Sequence, residues 1–161
     1  MKNIILFFIG IIIMLLEVFF TNFINSFVSV NFLMIYIIFI SLYIDKSHSL
    51  ILCGALGLIS DFISGGIVGV SCILFLVISY FISTVEKSIF KDKRAIVCLL
   101  VAIISVFYSI ISAVFSAIFF VPTPIIIALI KCLVVIPIAN TLVAFLGYSI
   151  FEDRLKKLRE E

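Results

Sequence analysis

Polar residues along this chain come in short breaks between long apolar runs. The breaks near residues 21–26, 45–48, 64–66, 86–94 and 122–124 divide it into six runs, Ile4–Phe20, Phe27–Ile44, Ser49–Ile63, Ile67–Val85, Ala95–Val121 and Ile125–Phe151. A helix needs roughly 20 apolar residues to cross a bilayer, within a range of about 17–25. The third run is short for that purpose, and the last two are long enough to tilt or to project beyond the membrane. Pro122 and Pro124 suit the end of the fifth helix and the start of the sixth, because proline lacks a backbone donor and fixes φ. The pattern predicts an all-α integral membrane protein with a transmembrane domain over 1–151 and a charged tail over 152–161.

Composition excludes the soluble alternative. Of the 161 residues, 65% are hydrophobic and 12% charged, with mean hydropathy +1.48. Soluble domains carry roughly 45–50% apolar and about 25% charged residues. The opening MKNIILFFIGIIIMLLEVFF has no small-residue cleavage site after its apolar run, so it is expected to remain as the first span.

Charge placement orients the six spans. With Lys2 inside, the segments 45–48, 86–94 and 152–161 lie on the same side. They hold Lys46, Lys87, Lys91, Lys93, Arg94, Arg154, Lys156, Lys157 and Arg159. Of the eleven basic residues only Lys131 falls elsewhere, within a span. Basic residues favour the cytoplasmic side, so both termini are expected there. A re-entrant third segment would move both large basic clusters outside. The net charge of +2 says little about partners, since placement matters more than the sum, and no nucleic-acid partner is expected. Tyr43, Tyr80 and Tyr148 fall near the inner ends of spans, where an amphipathic ring is favoured.

Chemistry-bearing residues are few. Cys53, Cys72, Cys98 and Cys132 stand singly in apolar runs, and the one histidine, His48, lies in the polar break. That spacing offers no metal site. Asp61 has no second carboxylate at its own depth, since Asp45 and Asp92 belong to the opposite face, and no phosphate-binding glycine pattern occurs. No catalytic residue and no cofactor is expected.

What the spans do contain is glycine beside charge. Gly54, Gly57 and Asp61 share one helical face at i, i+3 and i+7. Gly65 and Gly69 make a GxxxG spacing expected at the head of the next helix, with Gly66 in the turn between. Small residues let helices approach closely in lipid. Glu17, Asp61 and Lys131 all lie in the outer half of the expected bundle. Intramembrane charges usually face the protein interior, so these three are expected to converge as an ion-paired polar cluster.

The stretch LCGALGLISDFISGGIVGVSCILFLVISYFIS, residues 52–83, resembles the signature segment of the MreD family of rod shape-determining proteins. The resemblance rests on Gly54, Gly57, Leu58 and Asp61, then Val68, Gly69 and Tyr80. The first glycine spacing is G-x-x-G rather than the family's G-x-x-x-G. Asn31 resembles a polar residue heading the family's second span, although Val30 replaces the proline before it. The resemblance implies the bacterial plasma membrane and the machinery that builds the lateral cell wall. It implies MreC as a direct partner, with MreB, RodA and a class B penicillin-binding protein in the same complex. It also implies a fold similar to the six-helix substrate-binding subunits of energy-coupling-factor vitamin transporters. Two functions therefore stand: a non-enzymatic scaffold with the glycine hairpin as its packing and partner-binding segment, or a transporter subunit with a pocket lined by Glu17, Asp61 and Lys131. The very short outer loops weigh against a ligand lid. Glu152 with Lys156 and Asp153 with Lys157 are i,i+4 pairs, which predict that the sixth helix continues into the tail.

Overall fold

In lipid every backbone N–H and C=O must be satisfied within its own segment, which leaves a chain this apolar little choice but helix. The computed structural model describes residues 2–23, 30–65, 68–85, 94–118 and 131–160, and among them the regular structure is all helical. The helices are α1 (Lys2–Phe23), α2 (Phe32–Tyr43), α3 (Lys46–Ser64), α4 (Val70–Val85), α5 (Arg94–Ile118) and α6 (Ile136–Glu160), the last preceded by a π-helical turn over Lys131–Val135. Three of them contain segments long and apolar enough to cross a membrane: Asn3–Phe20, Lys46–Ser64 and Ala95–Phe115. Successive helices run in opposite directions, so Glu17, the Asp61–Gly69 turn and Lys131 share one end of the bundle. Lys46, Val85 and Arg94 share the other.

The centre of the bundle is α2. It is 12 residues long, about 18 Å at 1.5 Å per residue, so the helix by itself covers only part of a hydrocarbon core of roughly 30 Å. Ten of those residues are buried, against α1, α3, α4 and α6, while α5 packs mainly on α6. The outer surface is apolar. On α1, Ile5, Phe8, Ile12, Leu15 and Phe19 form one exposed stripe, and on α5 Leu99, Ile103, Phe107, Ile110 and Val114 form another. Polar residues go inward instead: Ser41, Ser49, Asp61, Ser79, Ser105, Ser109 and Asn140 are all buried. A surface this greasy around a polar-containing interior suits lipid as the solvent.

A close backbone contact joins α3 to α4. A Cβ added at Gly57 would lie 2.6 Å from the Cys72 Cα, so the two backbones touch there, and one added at Gly54 would lie 3.2 Å from the Leu76 side chain. Gly10, which sequence reasoning passed over, fits α1 against Leu56 and Tyr36 in the same way.

Several expectations need correction. Gly65 and Gly69 do not form a packing stripe at the head of α4. Gly65 caps α3 at φ 65°, Gly69 precedes α4 at φ 99°, and a Cβ on either would meet nothing within 4 Å. Their role is conformational, at angles that side-chain-bearing residues rarely adopt. Gly66 lies outside the described residues, as do Pro122 and Pro124. The third helix begins at Lys46, inside the polar break, with His48 exposed in its first turn, because a helix start tolerates polar residues. The second begins at Phe32 rather than Phe27, where the Asn31 Oδ1 accepts from the Met34 N–H at 2.7 Å and so fixes the helix start. Tyr43 and Tyr148 are core residues rather than interfacial rings, with their hydroxyls 3.3 Å apart. The final helix does run on to Glu160.

Candidate functional site

Asp61 is 3% exposed, and its carboxylate is spent on the next helix. One oxygen accepts from the Gly69 N–H at 2.7 Å, and both lie 3.2 Å from the Ser71 nitrogen. The Gly69 carbonyl accepts the first bond of α4 from Ile73, which makes Gly69 the N-cap of that helix. A glycine has no side chain to satisfy the orphan N–H groups at a helix start. Asp61 supplies that cap from α3, and places negative charge at the positive end of the α4 dipole.

Glu17 does the same for α2. Its Oε2 accepts from the Leu33 N–H at 2.7 Å, beside a hydrogen bond from the Phe32 backbone, while Asn31 caps Met34. Each of the two acids therefore sits at the N-terminus of the helix that follows its own.

Lys46 completes the hairpin at the opposite end. Its Nζ lies 3.7 Å from the centroid of the Tyr80 ring and donates to Thr84 Oγ1 at 3.1 Å, in the last turns of α4. A cation there faces the negative end of the helix dipole. So α3 lends α4 an anion at its start and a cation at its finish. Tyr80, a residue of the signature segment, is exposed and acts as the platform for that cation.

The acids belong to a wider polar layer. The Asn31 N–H donates to Asn140 Oδ1 at 2.9 Å, and Asn140 Nδ2 donates to Ser105 Oγ at 3.1 Å. Tyr108 lies beside Ser71 and Asn31 and stacks on Phe75 at 5.8 Å between ring centroids. Every helix contributes: Glu17, Asn31, Asp61, Ser71, Ser105 with Tyr108, and Asn140. Lys131 starts the π-helical turn at this end, and its side chain lies outside the described residues. Toward the other end Ser41, Ser49 and Ser79 form a buried ring of hydroxyls at 2.8–3.0 Å, tying α2, α3 and α4 together, with Cys53 Sγ 3.9 Å from two of them. Among the described residues no buried side-chain nitrogen or oxygen lacks a partner, and no group of His, Cys, Asp and Glu could hold a metal.

Glu17 and Asp61 thus share an end, and each is held by backbone amides. Asn140, Ser105, Tyr108 and the serine ring escaped sequence reasoning because it weighed only charges. A neutral amide in the middle of the apolar run IPIANTLVAF carries the same signal.

A helical bundle with a lipid-like exterior, an inward-facing polar layer and membrane-length helices defines a transmembrane helical protein. Within that class the chain belongs to the rod shape-determining protein MreD family, whose model matches residues 1–146. Membership assigns it a role in determining rod shape. No curated protein and no solved structure matches the chain.

Proposed function

We propose that this protein is a non-enzymatic scaffold of the cell-wall elongation machinery, lying in the bacterial plasma membrane with six crossings and both termini in the cytoplasm. It binds MreC directly and sits in one complex with MreB, RodA and a class B penicillin-binding protein. Residues 1–151 form the membrane domain, similar in fold to the vitamin-transporter subunits, and 152–161 form a charged cytoplasmic tail.

The observation that carries the scaffold reading is the state of Asp61. Its carboxylate is consumed by the Gly69 and Ser71 amides. A signature residue used to fix a hairpin fits a protein that presents a rigid surface. A transporter subunit would aim its polar side chains at a ligand, and here both acids and Asn140 are engaged by the chain itself.

Two experiments test the reading. Tagged protein in mild detergent should co-purify MreC, and Asp61→Asn should reduce recovery in step with its loss of folded protein. Undiminished folding with abolished recovery would make Asp61 a direct contact instead. For topology, single cysteines in a background without the native four should label from outside at Thr123→Cys and not at Lys91→Cys. The reverse pattern would overturn the orientation.

A further inference from the structure

Within the bundle α6 lies along α2, and small residues of α6 line the seam between them up to the edge-on ring pair of Phe39 and Tyr148. Ala144 is fully buried, and a Cβ on Gly147 would lie 3.7 Å from the Phe39 ring. With Asn140 and Tyr148 these residues stand at i, i+4, i+7 and i+8, one face of the helix. An apolar seam of this kind resists sliding only weakly, since a one-turn slip of about 5.4 Å exchanges one apolar contact for another.

The two ends of the seam are different. At one, Asn140 accepts from the Asn31 N–H at 2.9 Å while donating to Ser105 at 3.1 Å, so a single amide joins α2, α5 and α6. At the other, the Tyr148 hydroxyl lies 3.3 Å from that of Tyr43. Asn140 and Tyr148 are 1% and 0% exposed. A one-turn slip would break the Asn31–Asn140 and Tyr43–Tyr148 hydrogen bonds in a hydrocarbon setting. Single polar residues in an apolar seam are an effective means of fixing helix register.

We propose that α5 and α6 form a docked module whose register on the α1–α4 unit is set by two polar clasps, Asn31–Asn140 and Tyr43–Tyr148. The module's own cohesion comes from Ser105–Asn140 and from the apolar packing of α5 on α6. With both clasps gone, the module slips and then separates as one piece.

Disulfide cross-linking in the full-length, cysteine-free protein reads the register directly. Phe39→Cys should cross-link to Gly147→Cys in the native background and not to Val143→Cys or Phe151→Cys. Adding Asn140→Leu with Tyr148→Phe should spread cross-linking to those off-register positions. Cross-linking that stays confined to 147 would overturn the proposal. A second readout covers separation. A protease site placed between residues 86 and 93 is cut after folding, and an N-terminal tag recovers the first half. The double variant should lower recovery of the second half about tenfold, as expected from two intramembrane hydrogen bonds of average strength. Ser105→Ala should leave recovery unchanged. Equal recovery in the double variant and the unaltered protein, or an equal loss from Ser105→Ala, would refute the clasps.

Discussion

Asp61→Asn removes one of two acceptor oxygens and the charge at the start of α4, while the side chain keeps its size. In the native protein the carboxylate serves two amides, at 2.7 Å from Gly69 and 3.2 Å from Ser71. An amide can serve one of them with its oxygen, and turns its NH2 donor toward the other. A buried N–H left without an acceptor costs about 1–3 kcal/mol. Losing the favourable charge at the helix start adds about 0.3–1 kcal/mol. The sum is about 1.3–4 kcal/mol, or roughly 10- to 700-fold in the folded-to-unfolded ratio. Purified protein titrated with SDS in mild micelles, followed by circular dichroism, measures it. Glu17→Gln is the internal comparison. There Asn31 still caps α2 at Met34, so the loss should be about half as large or less. A change below about 0.5 kcal/mol for Asp61→Asn would refute the capping argument, since that is the scale of an ordinary surface substitution. Recovery on adding Lys131→Gln would refute it differently, by showing that an ion pair carries the energy.

Three further outcomes follow from the same geometry. Gly57→Ala forces a methyl against the Cys72 backbone at 2.6 Å and should cost about 1–3 kcal/mol, while Gly54→Ala, which meets only the movable Leu76 side chain at 3.2 Å, should cost clearly less by the same SDS titration. Gly69→Ala should destabilise by about 1–3 kcal/mol although the new methyl touches nothing, because φ 99° is unfavourable for any side chain; a silent Gly69→Ala would remove that reason for the glycine. Ser79→Ala opens the hydroxyl ring and should cost about 0.6–1.7 kcal/mol, with Ser49→Ala added afterwards costing less than it does alone, since a ring member that has lost a neighbour has less to lose.

Much of this fold is legible in the chain because lipid leaves so few options. Apolar runs and polar breaks locate α1, α4 and α5 to within a few residues, whereas the sixth run, Ile125–Phe151, begins outside the described residues and stops short of the end of α6 at Glu160. The α3–α4 contact is legible too, since Gly54 and Gly57 share a face and Gly57 meets backbone. Other features depend on tertiary placement. Nothing local distinguishes a glycine at the helix interface from one in a left-handed turn, so Gly57 and Gly69 read alike until φ is known. The shortness of α2 follows from Asn31 capping it, and its apolar run simply continues upstream. An acid in a span announces an interior partner but not its kind. For Glu17 and Asp61 that partner is the start of the following helix, and only the chain's path brings the two together. Tyr43 and Tyr148 lie near helix ends in sequence, yet the neighbouring helices enclose them.

The central claim is that the signature aspartate acts inside the hairpin and keeps doing so when a partner is bound. Glycine-selective 15N labelling isolates it, because the chain has seven glycines and one of them, Gly69, donates to Asp61. In lipid nanodiscs the Gly69 amide should be shifted downfield and protected from exchange. It should lose both properties in Asp61→Asn and keep both when MreC is added. A Gly69 amide that exchanges freely in the unbound protein, or that loses its shift on addition of MreC, would contradict the account.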